Sequence, residues 1–181
     1  MRLYHGSHIA GIRCLLPNSP LHGTKDQMVT YLTANLPYAL FYIWDAQHNH
    51  TNYKYVTCGI KNGVVIYEEQ FPNQLSRFYQ GVRGYLYCMD NSATVYPVEH
   101  REDMYYSSNP VSVLETLEIE DVYEEILSYE RKGLIKIIRY ENMPKEKLNM
   151  LHKHILEHIK KEDPCAQIYK NYFPELWAGM Q

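Results

Sequence analysis

The tripeptide Lys61-Asn62-Gly63 lies between two β-rich runs, "YKYVTCGI" and "GVVIYEE". Asn-Gly supplies two adjacent residues that tolerate positive φ, which is what the tight turn of a right-twisted hairpin demands. The middle of the chain is thereby committed to antiparallel sheet. "GYLYCM" and "ATVYPV", around Asp90-Asn91-Ser92, read as two further strands, and "PVSVLETL" after Pro110 as another. A short helix, "PNQLSRFYQ", separates the hairpin from these strands.

Toward the C-terminus the apolar spacing becomes helical. "IEDVYEEILSYERKG" puts Val122, Ile126 and Tyr129 on one face, acids in the first turns, bases in the last and Gly133 as terminator. "LIKIIRY" reads as a strand, "PKEKLNMLHKHILEHIKKED" as a helix with a stripe of Leu148, Leu151, Ile155 and Ile159, and "PCAQIYKNYFPELWAGM" as helical. At the other end "RLYH" is a short strand, and a long connection rich in Gly, Pro, Ser, Asn and His leads to a second strand around "VTYLT". "NLPYALFYIWDAQ" predicts a helix over 35–46, capped by Asn35, with Pro37 in its first turn and apolar on nearly all sides. The expected fold class is α+β, mainly antiparallel, as one domain over 1–181 with a C-terminal helical extension from about 119.

Composition removes several functions. A net charge of -3 and a pI near 6.3 give no electrostatic argument for nucleic acid or an anionic bilayer. No window approaches the roughly 18 consecutive apolar residues of a membrane span, and no charged-then-apolar leader opens the chain, so a cytoplasmic protein without membrane partners is expected. The four cysteines, Cys14, Cys58, Cys88 and Cys165, are too scattered for a zinc knuckle or redox pair and read as reduced thiols. Cys58 and Cys88 fall within apolar strand patterns that suit buried thiols. His154 and His158 share a helical face, yet no nearby carboxylate or cysteine pattern completes a metal site, so no metal is expected. There is no nucleophile elbow, no G-x-G-x-x-G and no Walker sequence. The 18 tyrosines suit core edges or an aromatic cleft, and number alone does not choose.

"LYHGS" at the end of the first strand remains, with "TYLTANLPYALFY" after the long connection. A turn would more usually take Asn-Gly or Asp-Gly, so His5 beside Gly6 asks for another role. Together these segments resemble the ADP-ribosyltransferase superfamily with the His-Tyr-Glu signature. Its poly(ADP-ribose) polymerases and diphtheria-toxin-like members end a first strand in His-Gly-Ser/Thr, and its rifampin-modifying transferases carry a similar Tyr-Leu-Thr before a helix. The match is concentrated in residues 3–7 and 30–42.

The resemblance implies an ADP-ribosyltransferase-like split antiparallel sheet and NAD as co-substrate. It places His5 on an NAD ribose, Gly6 backbone against the nicotinamide amide, Ser7 as a further hydroxyl contact and Tyr31 stacked on nicotinamide. Tyr42, about three helical turns after Tyr31, takes the second aromatic position. The third position of the signature, near the start of a later strand in "VEHREDMYYSSNPVSV", falls to Glu102 first, Asp103 second and Glu99 third, because a one-residue change of register reverses the face. The implied activity is transfer of ADP-ribose to an acceptor (protein, nucleic acid or small molecule) with release of nicotinamide. The alternative is an inactive NAD-like ligand-binding or protein-interaction module of the same fold. Removal of a 2′-phosphate from RNA is disfavoured by the near-neutral charge. The 12–30 connection is expected to form a lid over the adenosine side.

Overall fold

The computed structural model describes residues 1–24, 26–50, 54–89, 94–163 and 166–178. The Asp90-Asn91-Ser92 turn, Tyr53 and Pro164-Cys165 lie outside the described residues. The architecture is mixed α+β, with mostly antiparallel strands and several helices.

The Leu3–Ser7 strand (β1) sits inside the larger, seven-stranded sheet. Gly84–Met89 (β7) pairs with it along its whole length, from Leu3↔Met89 to Ser7↔Tyr85, and Glu115–Ile119 (β11) lies outside β7. On the other side come Met28–Thr33 (β4), Met104–Ser107 (β9) and Tyr96–Pro97 (β8). The segment read as one strand after Pro110 is two, Val111–Ser112 (β10) and β11, and β10 leaves the main sheet to pair with Cys14–Leu15 (β2). The connection read as irregular thus contains β2 and also Ser19–Pro20 (β3), which pairs with the start of β4.

The Asn-Gly hairpin forms as read. Cys58–Lys61 (β5) and Val64–Glu68 (β6) flank Asn62 and Gly63, at φ 53° and 76°, the double positive φ of a type I′ turn. Ile135–Ile138 (β12) joins β6 in parallel and completes a three-stranded second sheet. Gln74–Tyr79 (α2) is the short helix read after the hairpin, and Val122–Arg131 (α3) starts at Asp121, whose carboxylate accepts from Tyr123 and Glu124 N–H and also from Gly81 N–H. Lys145–Lys161 (α4) buries Leu151, Ile155 and Ile159, and Ala166–Tyr172 (α5) and Pro174–Ala178 (α6) follow.

The helix expected over 35–46 is much shorter, Leu36–Leu40 (α1). Its start is as read, with the Asn35 side chain accepting from Tyr38 N–H. The chain then tightens: Phe41, Tyr42 and Ile43 N–H donate to carbonyls three residues back, and the Phe41 carbonyl is taken by the buried Tyr79 hydroxyl at 2.9 Å. Asp45 next accepts from Gln47 and His48 N–H, opening a new turn. Because residues 38–41, 43 and 44 are all buried, the segment is surrounded by partners that compete with helix bonds.

That segment lies on a bare patch of sheet. A Cβ on Gly6 would fall 2.1 Å from the Ala39 carbonyl oxygen, and one on Gly84 2.3 Å from Ile43 Cγ2. Two glycines on neighbouring strands thus admit the α1 backbone at Ala39 and the Ile43 side chain of the turn after it. Behind α1, the apolar core continues through Phe41, Tyr67, Phe71, Leu75 and Tyr79 to Ile155 and Tyr169. The buried Glu69 ties its parts together, one oxygen accepting from Leu75 N–H (3.0 Å) and the other from Tyr140 N–H (3.1 Å).

Candidate functional site

β1 and β4 begin as neighbours and then part. Their ladder consists of Tyr4↔Thr33, and beyond it the gap is spanned by a side chain: His5 Nδ1 lies 3.0 Å from the Tyr31 carbonyl oxygen. A carbonyl only accepts, so Nδ1 carries the proton and the neutral ring leaves Nε2 with its lone pair. Burial holds the His5 pKa below its ordinary 6.5, opposed by the bond to Tyr31 and reinforced by the Lys54 charge.

The parted strands leave a cavity of about 150 Å³ lined by Tyr4, His5, Gly6, Tyr31, Tyr38 and Tyr42, with Ser19, Lys54 and Met104 among the other walls. It shares Tyr31, Tyr42 and Met104 with an adjoining groove of about 460 Å³ bounded by residues 20–24, Val98 and Arg101. The small cavity suits a flat ring, and the groove continues from it as a polar extension would.

Four of the residues singled out in the sequence therefore meet: His5, Gly6, Tyr31 and Tyr42. Gly6 has a packing reason of its own, the Ala39 carbonyl above it. Tyr42 is not three helical turns along a continuous helix; it sits on the tight turn after α1, its hydroxyl 3.0 Å from that of Tyr38. Burial, then the neighbouring phenol, pushes the Tyr42 pKa up, and burial does the same to Tyr38. Both phenols stay neutral, presenting two rings with centroids 5.4 Å apart. The Tyr31 phenol grips the connection beside it, accepting from His22 N–H (2.8 Å) and donating to the Pro20 carbonyl (3.1 Å). With β2, β3 and this grip the connection is a built wall, which corrects its reading as irregular throughout.

Ser7 and the acids do not join this group. The Ser7 hydroxyl accepts from Ile9 N–H at 3.2 Å, and Ser7 lines neither the cavity nor the groove. Glu102 is exposed in a neighbouring cleft that shares Tyr38 and Met104 with the cavity, and both its oxygens are occupied, by Asn62 N–H at 2.9 Å and Gly63 N–H at 2.6 Å. Asp103 has φ 55° and its carbonyl accepts from Ala34 N–H at 2.9 Å; it lines neither space. Glu99 faces an outer groove with Leu21, His22, His100, Arg101 and Tyr106. The residue that β9 turns into the cavity is Met104.

Sequence reasoning missed Tyr38, Lys54, Arg101 and Met104. Tyr38 was legible as the residue four before Tyr42, and Met104 as the start of a strand. Nothing local marks Lys54 or Arg101, which come from segments far away in the chain. Lys54 is exposed as a whole, and partial desolvation of its ammonium lowers its pKa.

The helix histidines hold one another: His154 Nε2 lies 2.7 Å from His158 Nε2, and His158 Nδ1 contacts the Asp163 carboxylate. Among the described residues no group of three or more His, Cys, Asp or Glu is arranged to hold a metal, and no helix is long and apolar enough to cross a membrane. Compared with protein-family models, curated proteins and solved structures, the chain matches none of them.

Proposed function

We propose that this domain binds NAD, or a close relative of it, by its nicotinamide riboside, in the manner of the ADP-ribosyltransferases that its sequence resembles. The observation that carries this reading is the parting of β1 from β4, with the His5 imidazole across the gap and its Nε2 open as an acceptor. A ribose hydroxyl supplies the matching donor. Nicotinamide is flat and small, and Tyr31 and Tyr42 offer it aromatic faces, each ring contact contributing roughly 0.5–1.5 kcal/mol. The fit favours binding over turnover. Loss of nicotinamide builds positive charge on the ribose, whereas among the described residues the formally charged side chain lining the cavity is Lys54, and β9 contributes Met104 rather than an acid.

The second reading, ADP-ribosyl transfer, is favoured by the position of Glu102, which stands in the neighbouring cleft behind Tyr38 and Met104. In that reaction the C1′–N bond breaks, nicotinamide leaves with the bonding pair, the acceptor's nucleophile bonds to C1′, and its proton passes to a carboxylate. Glu102 serves only if it leaves the Asn62-Gly63 turn. Calorimetric titration with NAD, run beside an assay of nicotinamide release, separates the readings. Saturable binding weakened by His5→Ala, without release of nicotinamide, is the expected result. Release lost in Glu102→Gln establishes transfer, and absence of binding at millimolar NAD overturns both.

A further inference from the structure

We propose that Arg101 seats the phosphate of the ligand, so that this site takes a phosphorylated nicotinamide nucleotide in preference to the uncharged-tail riboside; this rests on the nicotinamide reading above. Arg101 is carried by a loop that closes on itself. Val98 N–H donates to the Met104 carbonyl (2.9 Å), Arg101 N–H to Val98 (3.2 Å) and Met104 N–H to Arg101 (3.4 Å), closing residues 98–104 on themselves. His100 and Asp103 both have left-handed φ, 58° and 55°, a conformation that His and Asp hold more readily than most side chains. What fixes it is on either side: the Glu102 carboxylate clamps the Asn62-Gly63 turn, and the Asp103 carbonyl takes Ala34 N–H. Glu102 through its carboxylate and Asp103 through its backbone carbonyl thus anchor the loop, which carries Glu99 on the outer groove and Arg101 on both that groove and the ligand groove.

Arg101 lines the groove beside Tyr31, Tyr42 and Met104, and also the outer groove with His22, Glu99 and His100. It makes no ion pair among the described residues; its guanidinium lies by the Tyr38 hydroxyl at the cavity wall and also borders the cleft of Glu102. Among the described residues, the linings of the cavity and of the groove that joins it hold no carboxylate, and their formal charges are the cations Lys54 and Arg101. A guanidinium is a planar fork that matches two phosphate oxygens, and at a cleft wall it is less hydrated than an ammonium. A nicotinamide ring seated between Tyr31 and Tyr42 directs the 5′ end of its ribose along the groove toward this fork.

Calorimetric titration of the full chain with nicotinamide riboside, nicotinamide mononucleotide and NAD tests the assignment. The two phosphorylated ligands are expected to bind at least about tenfold tighter than the riboside, the worth of one charge-assisted bond. Arg101→Met is expected to bring the mononucleotide down to the affinity of the riboside, and Arg101→Lys to restore part of the difference. Arg131→Gln, the same charge change at the exposed end of α3, is expected to keep the preference, and added salt to shrink it. Equal binding of riboside and mononucleotide, or a preference that survives Arg101→Met, overturns this proposal and leaves the nicotinamide reading standing. Failure of all three ligands to bind overturns both.

Discussion

Tyr31 serves two partners at once, its ring facing the cavity and its hydroxyl holding the 20–24 wall through Pro20 and His22. Tyr31→Phe keeps the ring and loses both bonds, so it should lower stability by about 1 kcal/mol, small because the site is half exposed. The same variant should raise protease cleavage within 20–24, read by mass spectrometry of the fragments. His5 has a pH signature. Its folded pKa lies below its unfolded 6.5, so above that pH both states are neutral and it contributes nothing. As pH falls through 6.5 the unfolded chain takes up a proton that the folded ring resists, and stability declines. Urea midpoints at about pH 7.5 and about pH 5.5 should therefore fall further in the wild type than in His5→Gln, the other histidines titrating in both.

Among the elements, the glycines at the α1 contact carry the sharpest expectation. Gly6→Ala forces its new Cβ to within 2.1 Å of a backbone oxygen, and since α1 cannot yield without disturbing Tyr38 and Tyr42, a loss of about 3 kcal/mol is expected in chemical denaturation. Gly59→Ala, with nothing within 4 Å, should change stability by no more than about 0.5 kcal/mol. The legible elements were those decided by local chemistry: the Asn62-Gly63 turn, the Asp121 cap and Gly133 stop of α3, and the stripe of α4. The 35–46 helix was not, because its end is set by the Tyr79 hydroxyl and the Asp45 turn, which no local pattern announces. Nor were β2 and β3, two-residue pairings that exist only because distant strands present an edge.

For the whole molecule, the site is a junction of five segments: β1, the wall at 19–24, β4 with α1, the stretch carrying Lys54, and the loop 98–104. Sequence spacing carried His5, Gly6, Tyr31 and Tyr42 because a strand end and a strand-to-helix passage are local motifs. It did not carry the cationic lining, which arises when residues 54 and 101 arrive from elsewhere, nor the diversion of Glu102 to the hairpin turn. The central claim is that His5 Nε2 is the acceptor waiting in the cavity, and ¹⁵N NMR of the histidine side chains reports on it directly. Free His5 is expected to be neutral with its proton on Nδ1, and added NAD to shift the Nε2 resonance as it accepts a ribose hydroxyl, without protonating the ring. A His5 resonance unmoved by saturating NAD, or a proton found on Nε2 in the free protein, would contradict it.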